Sequence, residues 1–345
     1  MIVKATFLKL KNKIMKKNQI IIGIDVSKAT LDCYIQSTAQ HFIVENGPKG
    51  FVQLLETVFT STNCQKGDLL VCFENTGKYS KVLSVFMQSQ GISFVMAPAL
   101  EIKKSLGITR GKNDKIDSCR IANYAYEKRE KLKPTILPGE RIDRIKSLLS
   151  LREKLVKHRT AYKNGISDLQ DCYREGETRA IKDIQQRLIN GLNDEIDKLE
   201  TEIESEIKRD SSMKKNFELI LTVRAIGKIL GFYLIAYTEN FTSFIDPRSF
   251  ACFSGIAPFA NSSGTVTGKS RVHPYANKQL KSLLSLAAMS AIQFKGEYRE
   301  YYKRRVDAGK NKMSTLNIIR NKIIFRAFAV VKRGSPYVDL YRFVA

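Results

Sequence analysis

Four acids stand where divalent-metal chemistry would need them. Asp25 closes an unbroken apolar run, Ile20-Ile21-Ile22-Gly23-Ile24, and Glu74 closes another, Leu69-Leu70-Val71-Cys72-Phe73. Asp114 and Asp117 follow Asn113 three residues apart, so on a helix they share one face. Brought together in surroundings of low dielectric, four carboxylates repel one another. Hard divalent cations relieve that repulsion, and all-oxygen ligands of this kind suit Mg²⁺ or Mn²⁺. Two such ions about 3.5–4 Å apart would clamp the attacking and leaving oxygens of a phosphodiester. Each acid also has an ordinary explanation: Asp25 as a turn residue, and Asp114 and Asp117 as first-turn acids that complement a helix dipole. The second reactive type is serine, in Asn261-Ser262-Ser263-Gly264, which by itself is plain turn chemistry. A serine attacking phosphorus needs its charge handled by metal or by Arg and Lys. No histidine is close in sequence, although His273 could approach in space.

The elements that must position these residues can be read from apolar patterning. The run ending at Asp25 reads as a strand buried on both faces, and Gly23 within it as a place where another backbone or a ligand comes close. Leu31–Gln36 and His41–Val44 read as two further short strands. A helix starts at Pro48 with Phe51, Leu54, Leu55, Val58 and Phe59 on one face. The strand ending at Glu74, a turn at Asn75-Thr76-Gly77, a helix carrying Tyr79, Val82, Leu83 and Phe86, and a strand from Ile92 to Met96 come next. After a basic stretch from Lys103 to Lys112, Asn113 is the expected N-cap of a helix running through Tyr124. The order is three strands, helix, strand, helix, strand, helix, which predicts a mixed sheet covered by helices. It resembles the RNase H-like fold, in which Asp25 and Glu74 end neighbouring strands.

Across 345 residues the formal net charge is +24, from 58 Lys and Arg against 34 Asp and Glu. Spread along a long folded chain, that excess predicts a polyanionic partner, nucleic acid above all, over a merely solubilising surface or attraction to anionic membranes. No apolar run is long enough to predict a membrane span. Six cysteines without a CxxC pair and three scattered histidines offer no zinc ligand set. They predict a reducing, cytoplasmic setting, with Cys33 and Cys72 as small core residues. Residues 1–18 read as a basic leader, of which 1–14 could be dispensable.

Beyond Gly139 the pattern is helical. Ile142, Ile145 and Leu149, with Leu148, Leu151 and Leu155 alongside, form one stripe. Ile181, Ile184, Leu188, Leu192, Ile196, Leu199, Ile203 and Ile207 form another, at steps of three and four. Two arrangements bury such stripes: a hairpin within one chain, or a seam between chains. Past Phe217, basic residues cluster. Lys269, Arg271, Lys278 and Lys281 would suit a phosphate backbone, as would Lys112 earlier in the chain. The stretch Tyr298-Arg299-Glu300-Tyr301-Tyr302-Lys303-Arg304-Arg305 would suit single-stranded nucleic acid by stacking and charge, unless its tyrosines pack inward.

Gly23-Ile24-Asp25-Val26-Ser27-Lys28, Glu74-Asn75-Thr76-Gly77-Lys78-Tyr79 and Lys112-Asn113-Asp114-Lys115-Ile116-Asp117 resemble the motifs of the DEDD transposases of bacterial insertion sequences, the family that includes the Piv-type DNA invertases. Phe250 to Gly264 is similar to that family's C-terminal motif. Phe217 to Gly227 is similar to its helix-hairpin-helix-like entry, with Ala225 where a glycine is usual. The resemblance implies a RuvC-like (RNase H-like) α/β domain over 19–135, a helical coiled-coil spacer over 139–212, a mainly α transposase domain over 215–336 and a tail over 337–345. It implies a metal-binding catalytic tetrad of Asp25, Glu74, Asp114 and Asp117 with Mg²⁺ or Mn²⁺, two ions. It also implies a nucleophilic serine, Ser263 with Ser262 as rival, that forms a transient phosphoserine link to DNA and acts with the tetrad of another subunit. The implied partners are donor and target DNA, a structured guide RNA from the element, and further copies of the chain in a dimer or tetramer. Other readings stay open. A RuvC-like nuclease such as a junction resolvase needs the tetrad alone. Gly23-Ile24-Asp25 also resembles the first phosphate motif of sugar-kinase and actin-like ATPases, though no convincing adenosine loop follows. A non-catalytic nucleic-acid-binding protein is the last.

Overall fold

The apolar run at Ile20 does become a strand with both faces covered. The computed structural model describes residues 20–105, 113–172, 178–244, 246–263, 266–272 and 276–338, of which 170–172, 260–263 and 266–271 are described by their backbone only. The chain divides into two compact units, Met1–Leu137 and Pro138–Ala345.

In the first unit, β1 (Ile20–Val26), β2 (Thr30–Ile35) and β3 (Gln40–Glu45) form an antiparallel meander. Helix α1 (Pro48–Thr62) crosses to β4 (Leu69–Glu74), and α2 (Lys78–Ser89) crosses to β5 (Ser93–Ala97). Both crossovers return a parallel strand, as connections carrying a helix do. The sheet order is β3-β2-β1-β4-β5, with β1 central, a mixed sheet of the kind the element order predicts. Short α3 (Ala99–Ser105) ends at the start of the basic stretch and has no counterpart among the expected elements. Lys112 lies outside the described residues. Helix α4 (Asp114–Lys128) follows, and the Asn113 side chain accepts from the backbone N–H of Lys115 at 2.7 Å and of Ile116 at 3.3 Å, the expected N-cap.

Strand alternation divides this unit into two cores. Ile22, Ile24, Leu31, Cys33, Val71 and Phe73 meet Phe51, Leu54 and Val58 of α1 and Leu83 and Met87 of α2. Ile21, Leu70, Cys72 and Val95 meet Ile121, Tyr124 and Ala125 of α4. Ser80, Leu83, Ser84 and Met87 form the inner face of α2, while Val82 is exposed.

The second unit begins with α5 (Glu140–Cys172) and α6 (Arg179–Lys208). They run antiparallel: Arg144 pairs with Glu202 at 2.9 Å, Arg152 with Glu200 at 2.7 Å, and Arg159 donates to Asn193 at 2.9 Å, rising numbers meeting falling ones. The spacer predicted as a coiled coil is therefore a hairpin of one chain. Its base is buried, with Ile142, Ile145, Leu149, Ile203 and Ile207 in the core of the helices that follow. Toward the turn the same stripe is open, with Ile181, Ile184 and Leu188 exposed by 49%, 52% and 44%.

Helices α7 (Ser211–Leu221), α8 (Lys228–Tyr237) and α9 (Pro247–Phe253) come next. The turn between α7 and α8 holds Ala225 at φ +77°, a left-handed conformation that favours glycine. This is the position where the resembled motif has its glycine. A hairpin of β6 (Pro258–Ser263) and β7 (Val266–Val272) interrupts an otherwise helical unit. Helices α10 (Lys278–Gln293), α11 (Glu297–Asp307) and α12 (Lys312–Arg333) close it, around Phe217, Phe232, Tyr233, Leu284, Ile319 and Ile323. Among the described residues no helix is long and apolar enough to cross a membrane.

Candidate active site

Gly23 explains how helix-borne acids reach a strand-borne one. A Cβ built on it would lie 2.2 Å from the Ser118 carbonyl oxygen and 2.3 Å from the Ala122 nitrogen. The backbone of α4 thus rests directly on β1, two residues before Asp25 and one turn after Asp114 and Asp117. The close approach expected at Gly23 is that of a backbone. Asp25 and Glu74 lie one residue beyond the β1–β4 register pair Ile24–Phe73, at the carboxyl ends of parallel neighbours. By alternation both belong to the face that α4 covers.

The electrostatics show the result. The Asp25 carboxyl is pushed up to about 6, first by burial and then by the charges of Asp114, Asp117, Glu74 and Asp32. All four expected acids therefore act on one place. Asp114 is exposed; Asp117 is partly buried and accepts from Arg120 Nη1 at 2.9 Å. The fifth acid, Asp32, was not foreseen. It pairs with Asp25 in the β1–β2 register, is 7% exposed, and its Oδ1 lies 3.0 Å from His41 Nε2. Its signal in the sequence was a charge within the strand pattern Leu31-Asp32-Cys33-Tyr34-Ile35, on the face opposite the apolar Leu31, Cys33 and Ile35.

The donors fit a hard divalent cation in type, because every side chain gathered here offers carboxylate oxygen. The repulsion that raises Asp25 is what such a cation would remove. Among the described residues no three His, Cys, Asp or Glu side chains are drawn together tightly enough to share one ion. The acids stand within electrostatic reach of Asp25 without closing on a point.

The other candidates belong to the second unit. Ser263 is the last residue of β6, opposite Val266, and Ser262 is opposite Thr267. The serine motif, read as a loop in the sequence, is the end of a β-hairpin. Lys269 and Arg271 lie on β7, a strand where a basic loop was expected. His273 lies outside the described residues. Lys278 is exposed at the first turn of α10, behind the Asn277 cap. On α11, Arg304 is exposed and Arg305 half-buried. Tyr298 is only 2% exposed beneath the Arg326 guanidinium, 4.6 Å from its ring centre, so it packs inward and offers no stacking face. Tyr301 is covered by Lys322 at 4.0 Å.

Known proteins share both units. Residues 22–173 match the family model of the IS110-type DEDD transposases, described as transposase, and residues 217–303 match that of the transposase IS116/IS110/IS902 family. A pilin gene-inverting protein of Moraxella lacunata is 27% identical over 331 residues, 92% of this chain and 97% of its own length. Its counterpart from Moraxella bovis is equally similar, 27% over 331 residues. An uncharacterised protein of insertion element IS116 from Streptomyces clavuligerus is 26% identical over 158 residues, 45% of this chain and 38% of its own. The two models match in order along one chain, the first covering the first unit and running on into α5, the second lying within the second unit, and so the chain belongs to the IS110/IS116/IS902 family of DEDD transposases, a DNA transposase or site-specific recombinase in a family that uses divalent metal.

Proposed function

We propose that this protein cuts and rejoins the DNA of an insertion element, using the acids around Asp25 as its metal-dependent cutting centre and Ser263 as a nucleophile. The observation that carries the reading is the Asp25 carboxyl, held up by burial and by Asp114, Asp117 and Glu74 together. Ordinary turn and helix-cap acids would not all bear on one half-buried carboxylate. Asp25, Glu74, Asp114 and Asp117 would hold Mg²⁺ or Mn²⁺, one ion or two. Bound there, the cation supplies charge neutralisation and Lewis-acid polarisation at a phosphodiester oxygen.

The chain's own step is the attack of the serine. Ser263 Oγ forms a bond to phosphorus, the bond from phosphorus to the 3′ oxygen breaks, and the hydroxyl proton passes to that leaving oxygen. The products are a phosphoserine link and a free 3′ hydroxyl, which reverses the step by attacking a second phosphoserine and so exchanges strands. Lys269 and Arg271 share the hairpin with Ser263, and Lys278, Arg304 and Arg305 extend the basic character of the same unit. These supply cationic contacts to the phosphate backbone, with Lys112 serving the first unit. The net charge of +24 accommodates DNA together with a structured guide RNA encoded by the element. The relatives named for inverting a pilin gene support rearrangement of a DNA segment as the outcome.

The test is a covalent trap. Element-end DNA is incubated with the protein and Mg²⁺, quenched in denaturant, and the adduct is mapped by mass spectrometry. A phosphoserine at 263, lost in Ser263→Ala, is expected. An adduct that survives Ser263→Ala removes the serine role, and one lost only in Ser262→Ala moves it by one residue.

A further inference from the structure

A stable strand pair does not place two carboxylates side by side. Asp25 and Asp32 are direct partners in the β1–β2 ladder. Counting by twos from the Ser27 N–H to Thr30 carbonyl bond makes them a hydrogen-bonded pair, whose Cα atoms stand about 5.5 Å apart in such ladders. Like charges in directly opposite positions destabilise a sheet. Burial worsens it, since an ionised carboxylate out of water needs a partner. Asp32 nevertheless sits at 7% exposure, and the structure gives it one: His41 on β3, diagonal to it, with Nε2 3.0 Å from Oδ1. Strand alternation puts Asp32, Tyr34 and His41 on the sheet face covered by α4. Leu31, Cys33 and Ile35 fill the opposite core.

We propose that Asp32, clamped by His41, is a positioning residue of the divalent-cation site: it stands next to the cation-binding Asp25 and adds negative charge that strengthens cation binding there. The inference rests on the cation-binding role proposed above for Asp25. Asp32 acts through its neighbour. It lies one strand further from Glu74 than Asp25 does, on the far side of β1 in the sheet order, so it flanks the ligand set. The ladder sets its carboxylate directly beside Asp25. A divalent cation held at Asp25 would be attracted by a second negative charge at that range. His41 holds one carboxylate oxygen of Asp32, Oδ1, and so fixes which way its charge faces, as outer-shell partners of metal ligands do.

The test is Mn²⁺ binding to the metal-free full-length protein by titration calorimetry, with circular dichroism to verify folding. Asp25→Ala tests the underlying reading, and is expected to abolish the high-affinity site. Asp32→Asn keeps the shape and removes the charge, and is expected to weaken Mn²⁺ binding by about 10–100-fold. His41→Ala is expected to weaken it in the same direction, and His41→Gln, which retains a donor to Asp32, to restore most of the loss. If Asp32→Asn does not fold, the His41 pair decides. Binding lost in Asp25→Ala but unchanged in Asp32→Asn, or in His41→Ala, overturns the role of Asp32 and leaves the tetrad standing. Binding unchanged in Asp25→Ala overturns the tetrad, and the inference with it.

Discussion

Replacing Gly23 by alanine adds one methyl group at the point where α4 touches β1. That carbon would lie 2.2 Å from the Ser118 oxygen, 2.3 Å from the Ala122 nitrogen and 2.8 Å from the Ala122 Cα, all backbone atoms of one helix. No side-chain rotation relieves the overlap. The helix must withdraw by about 1.2 Å to reach the 3.4 Å at which ordinary contact begins. Overpacking of this kind costs about 1–3 kcal/mol. The functional loss is larger, because the moving helix carries Asp114 and Asp117 while Asp25 and Glu74 stay with the sheet. A displacement of about 1 Å at reacting groups costs on the order of 100-fold in rate. Recombination between two plasmids, one bearing the element and one a target, together with a urea denaturation curve, reads both effects. Gly23→Ala is expected to remain folded, lose about 1–3 kcal/mol of stability and recombine on the order of 100-fold more slowly. Ala122→Gly is expected not to rescue it, since the clash is with backbone. Wild-type activity and stability in Gly23→Ala would refute the packing argument.

Asp25→Asn is expected to stabilise the metal-free protein at pH 7.5 while abolishing recombination. A carboxyl held at about 6 in place of 3.8 burdens the ionised fold by at most about 3 kcal/mol; Asp25 is partly exposed, and screening leaves about 1–2 kcal/mol. The folded proton affinity exceeds the unfolded one, so this burden is absent below pH about 4 and complete above pH about 6. The stability gap between variant and wild type should open across that window in chelator, and a variant no more stable at pH 7.5 would contradict it. Ala225→Gly is expected to raise stability by about 0.5–1 kcal/mol, read as a higher urea midpoint, because φ +77° strains any residue with a Cβ; an unchanged or lower midpoint would show the turn to be relaxed. Ile181, Ile184 and Leu188 form an open stripe on the hairpin. Replacing all three by serine should lower the solution mass toward the monomer by light scattering with helicity retained, and an unchanged mass would remove that stripe from the proposed oligomer.

What the sequence disclosed followed from how local each signal was. The run Ile20–Ile24 could be read because both faces of β1 are covered, so apolar residues continue without alternation. Asn113 could be read because a cap is made within three residues. The places of Asp25 and Glu74 at strand ends were legible in the element order, whereas the tetrad as a set rested on the resemblance of its three motifs. Asp32 stayed hidden because its meaning is set by two neighbouring strands: Asp25 across one ladder and His41 across the other. The hairpin of β6 and β7 was not legible because Pro258-Phe259-Ala260-Asn261-Ser262-Ser263 lacks the β-branched alternation that marks a strand. The hairpin of α5 and α6 was ambiguous for a physical reason. Apolar residues at steps of three and four bury equally well against the same chain or another, and here the base is buried by its own chain while the outer stripe is not.

The central claim is that the acids converging on Asp25 cut DNA with a divalent cation. The most direct measurement is single-turnover cleavage of element-end DNA by wild type and by Asp25→Ala, Glu74→Ala, Asp114→Ala and Asp117→Ala, each verified as folded, with Mg²⁺ and with chelator. The account predicts strand cleavage by the wild type that requires Mg²⁺ and is lost in all four variants. Cleavage that persists in chelator, or at the wild-type rate in Asp25→Ala, would contradict it.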